Sequence, residues 1–339
     1  MNNKFDYCVF IGRFSPFHKA HCSILKRALE LANQVVVVIG SASAPRTIRN
    51  PWIADEREKM ITSSFPKEVA DKKISFIQMK DYLYNNNLWI SVLQEKINTA
   101  TNDSENVALI GFESDETSFY LKLFPQFQYI EHGTEYNFHA TQIREKYFSH
   151  DVQYKTMVPD GVIKFLETFE SSPEFQPLKE EKNYIDAYKE KWRGAPYPPI
   201  FCTVDSLVIK SGHILVVRRG HNPGKGLLSM AGGFVNNSEK LEDAALRELK
   251  EETGIKINIP DLRKSIVDSK VFDEPTRSLR GRVISSVFFI DLGVGPLPKV
   301  KGGDDAASAE WIPLSECHSL EASFFEDHYH IIRSFISKY

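Results

Sequence analysis

The chain has 339 residues, of which 26% are charged and 42% hydrophobic, and carries a formal net charge of −3. Its length favours two domains, each able to bury a core, and its composition excludes a disordered or polybasic chain and gives no basis for bulk nucleic-acid binding. Cys8, Cys22, Cys202 and Cys317 form no C-x-x-C pair, which speaks against a zinc site or a secreted disulfide framework and for a reducing cytoplasm.

The first residues, MNNKFDYCVFIG, run straight into an apolar strand and lack the basic flank and long apolar segment of a signal peptide. The longest apolar stretch, Val35–Ile39 with its flanks, falls short of a membrane span, so no membrane association is expected. From residue 5 to about 170, short β-branched runs alternate with helical ones. Strands are predicted at Tyr7–Ile11, Val35–Ile39, Ile74–Met79, Val107–Ile110 and Tyr129–Glu131. Helices are predicted at Ser23–Asn33 and around 55–65, 88–99, 115–124 and 141–148. Continuous apolar strands between amphipathic helices imply a doubly wound, Rossmann-like parallel sheet, with ligands at the carboxyl ends of its strands.

Residues 160–192 are helical and highly charged, interrupted by SSPEFQP, and GAPYPP at 194–199 cannot continue a helix or a central strand. The expected organisation is therefore a domain over 1–172, a helical and Pro-rich linker over 173–199 and a domain over 200–339. In the second domain Phe201–Lys210 and Ile214–Arg218 form a hairpin turning at Ser211–Gly212. A glycine-rich segment, one strong helix and strands around 265–272 and 283–292 follow, giving an α/β/α layered domain.

Two segments carry chemistry. After the first strand, Gly12-Arg13-Phe14-Ser15-Pro16-Phe17-His18-Lys19-Ala20-His21 leads a loop into a helix N-terminus, where free N–H groups and the dipole favour an anion. A His-x-x-His pair without a third ligand is a poor metal site, and the setting suits phosphate. In the second domain Asn237 or Ser238 is placed to cap a helix ending at Thr253 with Gly254 beyond it. Glu248, Glu251 and Glu252 share one face of that helix and Ala245, Leu246 and Leu249 another. Converging carboxylates suit hard cations such as Mg²⁺ or Mn²⁺. A solvated acidic face is the bland alternative, since Arg247 stands four residues before Glu251.

The string from Gly233 to Ile255 resembles the Nudix box at every fixed position, namely Gly233, Glu239, Arg247, Glu248, Glu251, Glu252 and Gly254. That resemblance implies metal-dependent hydrolysis of a substituted nucleoside diphosphate. Glu248, Glu251, Glu252 and the Gly232 carbonyl would be metal ligands, and Arg247 and Glu239 orienting residues. Arg218, Arg219, Arg277, Arg280 and Arg282 are basic candidates for phosphate, of which Arg218, Arg280 and Arg282 are carried as substrate residues. Asp304, in KGGDDA, resembles an acidic residue beyond the box in Nudix proteins of ADP-ribose metabolism.

The N-terminal loop resembles the His-x-Gly-His signature of the nucleotidylyltransferase superfamily, and His139-Ala140-Thr141-Gln142-Ile143-Arg144 resembles its Ser-Thr-x-x-Arg signature. Ala20 and Ala140 depart from the family's glycine and serine, whereas His18, His21, Thr141 and Arg144 match. Arg49-Asn50-Pro51-Trp52, Glu56-Arg57, Asp81 and Asn87-Leu88-Trp89 are similar to archaeal-type nicotinamide mononucleotide (NMN) adenylyltransferases. In that likeness Arg13, His18 and His21 would be catalytic, and Gly12, Phe14, Gly40, Ser41, Arg49, Asn50, Asp81, Trp89, Gly111, Thr141 and Arg144 would hold ATP and NMN. The layout resembles bifunctional bacterial proteins that join an adenylyltransferase to a Nudix hydrolase. This implies NAD and pyrophosphate from NMN and ATP, and AMP and ribose 5-phosphate from ADP-ribose. Its partners would be small molecules only, a homo-oligomer being left open. Two alternatives remain at this point: a transferase for another small phosphate fused to a broad nucleotide-sugar hydrolase, and a regulator that binds an NAD-related ligand through a silent Nudix fold.

Overall fold

The computed structural model describes residues 5–111, 123–133, 136 and 138–336. The chain divides into two compact units, one of Met1–Arg46 and Asn50–Pro177, the other of Thr47–Arg49 and Leu178–Tyr339.

The first unit contains β1 (Phe5–Gly12), α1 (Lys19–Leu31), β2 (Ala32–Ile39), α2 (Ala54–Ser64), α3 (Pro66–Ala70), β3 (Ile74–Gln78), α4 (Asn86–Ala100), β4 (Val107–Gly111), β5 (Gln128–Glu131), α5 (Ala140–Phe148) and α6 (Asp160–Phe169). Its strands lie in the order β3-β2-β1-β4-β5 and every pairing is parallel. Val35 to Ile39 are fully buried without a break. That is the signature of a strand covered on both faces, where the alternation of a half-exposed sheet is lost. The order reverses between β1 and β4, so the crevice at their carboxyl ends opens beside the loop that follows Gly12. The helix predicted around 115–124 lies, up to residue 122, outside the described residues. The first helix begins at Lys19 rather than Ser23, because its N-cap is His18, the last residue of the loop.

The second unit holds most of α7 (Phe175–Glu190), then β6 (Ile200–Lys210), β7 (His213–Arg219), β8 (Leu228–Ser229), β9 (Ala231–Phe234), α8 (Leu241–Thr253), α9 (Ile259–Lys264), β10 (Ile266–Phe272), β11 (Arg282–Asp291), β12 (Ala306–Pro313) and α10 (His328–Ile336). The sheet runs β10-β11-β6-β7-β12, with β8 on β7 and β9 on β6; β6 and β11 are parallel and the other pairings antiparallel. The hairpin turns where expected, with Ser211 and Gly212 both at positive φ, the conformation of a two-residue turn. Alternate residues of each strand feed opposite cores. Leu207, Ile214, Val216 and Phe289 pack with Ile332 and Phe335 of α10, whereas Val208, Leu215, Val217 and Ile290 pack with Leu246 and Leu249 of α8. One sheet between two helical layers follows directly from this period of two.

Within 173–199, α7 occupies much of the stretch expected to be linker, and Leu178 and Ile185 on it are buried. Pro177 falls in its first turn, where a missing N–H costs nothing.

Candidate active sites

In the first unit, β1 delivers Gly12 to the crevice. A Cβ on Gly12 would lie 2.8 Å from the Phe14 ring, so only glycine lets that ring fold back under the strand end. Phe14 itself has a positive φ of 52° and is buried against Phe10 and His21. The rings of His18 and His21 stack with centroids 3.6 Å apart, and His21 Nδ1 accepts the His18 backbone N–H at 3.3 Å. Burial pushes His18 down to about 3, helped by the charge of His139, and burial holds His21 well below the usual histidine range. Both rings are therefore neutral near pH 7. His18 Nδ1 and Ser15 Oγ are buried with no hydrogen-bond partner among the described residues. A buried polar atom without a partner is costly unless something else supplies one.

The second signature segment meets the first. Arg144, one turn into α5, donates from Nη1 to the Ser15 carbonyl oxygen at 2.7 Å and from Nη2 to Thr141 Oγ1 at 3.1 Å. Across the crevice the Gly40 N–H donates to the Gly12 carbonyl oxygen at 2.9 Å, and Ser41 Oγ donates to Asp81 at 3.1 Å. Gly111 ends β4 in the buried sheet. Arg13 is exposed, Asn50 half-buried, and Trp89 half-buried against the core of the sheet. Arg49 falls in the second unit, where its guanidinium donates to the Thr276 carbonyl oxygen.

In the second unit, α8 carries the carboxylates. Its N-cap is Lys240, not Asn237 or Ser238. The helix starts later because Glu239 is spent otherwise, accepting the Asn236 N–H at 2.8 Å and two hydrogen bonds from Arg247. Those bonds hold Glu239 down to about 2. Arg247 also donates to Glu248 and Glu251, both at 2.8 Å. One guanidinium thus aims two carboxylates that would otherwise repel each other. Gly233 is required beside them, since a Cβ there would lie 2.6 Å from the Glu248 carboxylate.

Asp304 completes the group. Its loop is stitched to the end of α8 by the Lys301 N–H on the Thr253 carbonyl oxygen at 2.9 Å and the Gly303 N–H on that of Glu252 at 3.1 Å. Among the described residues, Glu248, Glu251 and Asp304 each offer an oxygen within 4.8 Å of the others. Glu252 faces inward instead and accepts the Gly232 N–H at 3.0 Å. Burial raises it to about 8, with the Glu248 charge adding to the effect, and burial also raises Glu248. An all-oxygen donor set whose carboxylates are costly to ionise together fits a hard divalent cation.

Two family models match the chain. A cytidylyltransferase-like model covers residues 9–146 and a NUDIX domain model residues 202–335. A nicotinamide/nicotinic acid mononucleotide adenylyltransferase of Acinetobacter baylyi is 38% identical over 185 residues, 54% of this chain and 97% of that one. An ADP-ribose pyrophosphatase of Methanocaldococcus jannaschii is 39% identical over 147 residues, 43% of this chain and 78% of that one. The crystal structure of a bifunctional NMN adenylyltransferase/ADP-ribose pyrophosphatase from Francisella tularensis, complexed with AMP and a manganese ion, superposes with a TM-score of 0.91. It is 34% identical and the match covers 98% of this chain and 99% of that one. This chain belongs to the bifunctional NMN adenylyltransferase/ADP-ribose pyrophosphatase family.

Several residues of this bifunctional enzyme took their place only in three dimensions. Arg57 is buried on α2 and donates to the carbonyl oxygens of Arg13 at 2.6 Å, Gly40 at 2.7 Å and Ser41 at 3.0 Å. Burial lowers it to about 10. Its sequence signal is an arginine on the buried helical face of Ala54, Met60 and Ile61. Arg218 points outward to Gly226 and Glu310, whereas its neighbour Arg219, on the other face of β7, lies under the Phe325 ring near Glu252. Arg282 is engaged with Asp273, and Arg277 is consumed by a buried bidentate pair with Asp327 at 2.8 and 2.9 Å. Arg280 sits over the Phe234 ring, 5.4 Å from its centroid.

Proposed function

We propose that the first unit joins NMN to ATP, releasing pyrophosphate and forming NAD, and that the second hydrolyses ADP-ribose to AMP and ribose 5-phosphate. The observation that carries the first half is the meeting of Arg144 with Ser15, which gathers both signature segments around the orphaned His18 Nδ1. An oxygen of the NMN phosphate bonds to the ATP α-phosphorus as the bond from that phosphorus to the bridging oxygen breaks, and pyrophosphate leaves with the electron pair. His18 and His21 donate hydrogen bonds to the charge that builds on the α-phosphate, and Arg13, Thr141 and Arg144 hold the triphosphate. Ser41, Asp81, Asn50 and Trp89 shape the nucleotide crevice, and a cationic nicotinamide ring suits the Trp89 face.

In the second unit Glu248, Glu251 and Asp304 would hold Mg²⁺ or Mn²⁺, with Glu252 and the Gly232 carbonyl joining from the buried side. When bound, such a cation neutralises the diphosphate and acidifies water. Arg247 and Glu239 keep the carboxylates aimed. No helix among the described residues is long and apolar enough to cross a membrane, and the four cysteines are unbridged, which supports a cytoplasmic setting. The test is direct: the chain with NMN, ATP and Mg²⁺ is assayed for NAD, and with ADP-ribose and Mg²⁺ or Mn²⁺ for AMP. Absence of either product sinks the corresponding half.

A further inference from the structure

The second unit buries a set of ionisable and polar side chains that the hydrolytic reaction does not use. Asp205 on β6, Ser285 on β11, Arg277 in the loop before β11, and Asp327 and His328 at the start of α10 are all buried. Burying such groups costs stability. Their contacts converge on the backbone that leads into β9.

The segment from Phe325 to His328 grips that backbone at two points. The Phe325 N–H donates to the Leu228 carbonyl oxygen at 2.8 Å, and the Met230 N–H donates to His328 Nδ1 at 3.2 Å. The segment is itself anchored by the bidentate pair of Asp327 with Arg277 and by Ile331, Ile332 and Phe335 of α10 in the core. An Nδ1 that accepts a hydrogen bond leaves the ring proton on Nε2, and Nε2 faces Asp205 Oδ1 4.0 Å away. Asp205 is held in turn by Ser285 Oγ, which donates to its Oδ2. One imidazole therefore spans the Met230 backbone and a fixed carboxylate.

Gly232, two residues after Met230, is paired with Asp205 between β9 and β6, and a Cβ there would lie 2.6 Å from Asp205 Oδ1. The Gly232 N–H donates to Glu252 at 3.0 Å. A displacement of Met230 is thus passed along two residues of backbone to Gly232, and across one hydrogen bond to the Glu252 carboxylate. We propose that His328 is a positioning residue for the cation site, acting through Nδ1 on Met230 and so on Gly232 and Glu252. This rests on the metal-dependent hydrolase reading of the second unit and adds to it a residue that touches neither the carboxylates of α8 nor Asp304.

The test uses the full chain, with Mn²⁺ affinity read by electron paramagnetic resonance, folding by thermal denaturation, and NAD formation and ADP-ribose cleavage assayed on the same samples. His328→Phe keeps a ring but no acceptor, and should weaken Mn²⁺ binding by roughly tenfold or more and slow ADP-ribose cleavage while NAD formation is unchanged. His328→Asn places an oxygen where Nδ1 lies and should restore Mn²⁺ binding to within about threefold of wild type. A folded His328→Phe that binds Mn²⁺ within about twofold of wild type overturns the proposal, even where it unfolds at a lower temperature, because that is the result of a purely structural role. Asparagine binding as weakly as phenylalanine overturns it too. Should His328→Phe fail to fold, His328→Gln replaces it: its amide reaches the Nε2 position and leaves Met230 without an acceptor. Glutamine binding Mn²⁺ roughly tenfold more weakly than asparagine supports the proposal, and equal affinities overturn it. The same dependence of Mn²⁺ affinity on His328 with no cleavage of ADP-ribose by wild type supports the positioning role and removes only the substrate assignment.

Discussion

Arg144 Nη1 and the Ser15 carbonyl oxygen lie 2.7 Å apart although 129 residues separate them in the chain. This hydrogen bond ties the histidine loop to α5, so the guanidinium is a scaffold between the two segments and, in the proposed function, a phosphate ligand as well. Arg144→Lys keeps the charge but loses the planar fork that reaches Ser15 and Thr141 together. NAD formation is expected to fall by roughly two orders of magnitude while ADP-ribose hydrolysis by the same sample is unchanged. NAD formation near the wild-type rate would show that the charge alone suffices.

Arg57 holds three backbone carbonyl oxygens around the mouth of the crevice. Arg57→Leu matches much of its volume and leaves those acceptors buried without a donor. Each orphaned acceptor costs about 1–3 kcal/mol, so unfolding of the first unit should shift to clearly lower denaturant, and KM for ATP should rise. A variant with wild-type stability would mean that water takes over the three acceptors.

His18 is held near 3 and His21 well below the ordinary value near 6.5, both mainly by burial. Below pH 6.5 the unfolded chain therefore binds more protons than the folded one. The stability these neutral rings contribute is complete above pH 6.5 and is lost as pH falls from there toward 3. Thermal unfolding of ligand-free protein between pH 7.5 and 5 should show a steeper loss for wild type than for a His18→Asn, His21→Asn double variant. Parallel slopes would argue that both rings are protonated in the fold.

Gly233→Ala introduces a Cβ that would sit 2.6 Å from the Glu248 carboxylate. That carboxylate must swing away from Glu251 and Asp304, and Mn²⁺ affinity should fall by roughly 10–100-fold with hydrolysis. NAD formation should be unaffected. Removal of divalent cations with EDTA from wild type should reproduce the hydrolytic loss, and added Mn²⁺ should restore it only there.

Local signals made the strands of the first domain and β6, β7, α8, β10 and β11 of the second legible, because burial on two faces leaves continuous apolar runs and burial on one leaves a period, whereas α9, β12 and α10 were not predicted. The Ser211–Gly212 turn and the glutamate face of α8 were readable for the same reason: each depends on neighbours within one turn of chain. The start of α8 lies beyond the cap expected at Asn237 or Ser238, since the competing use of Glu239 by Arg247 is a contact across eight residues. Asp304 was only a family likeness until its loop met the end of α8.

What the sequence by itself determined, then, is which residues could do chemistry: the histidine loop, the glutamates and the arginines. Which of them converge was decided by tertiary structure. Arg218 and Arg219 are equivalent as residue types and adjacent in the chain, yet the pleat of β7 sends one to Glu310 and the other beneath Phe325. Arg57 lies on the buried face of α2, but its partners are set only when the sheet is assembled and three carbonyl oxygens require a donor. Side-chain direction and partner supply are set by packing between distant segments, and no local pattern encodes them.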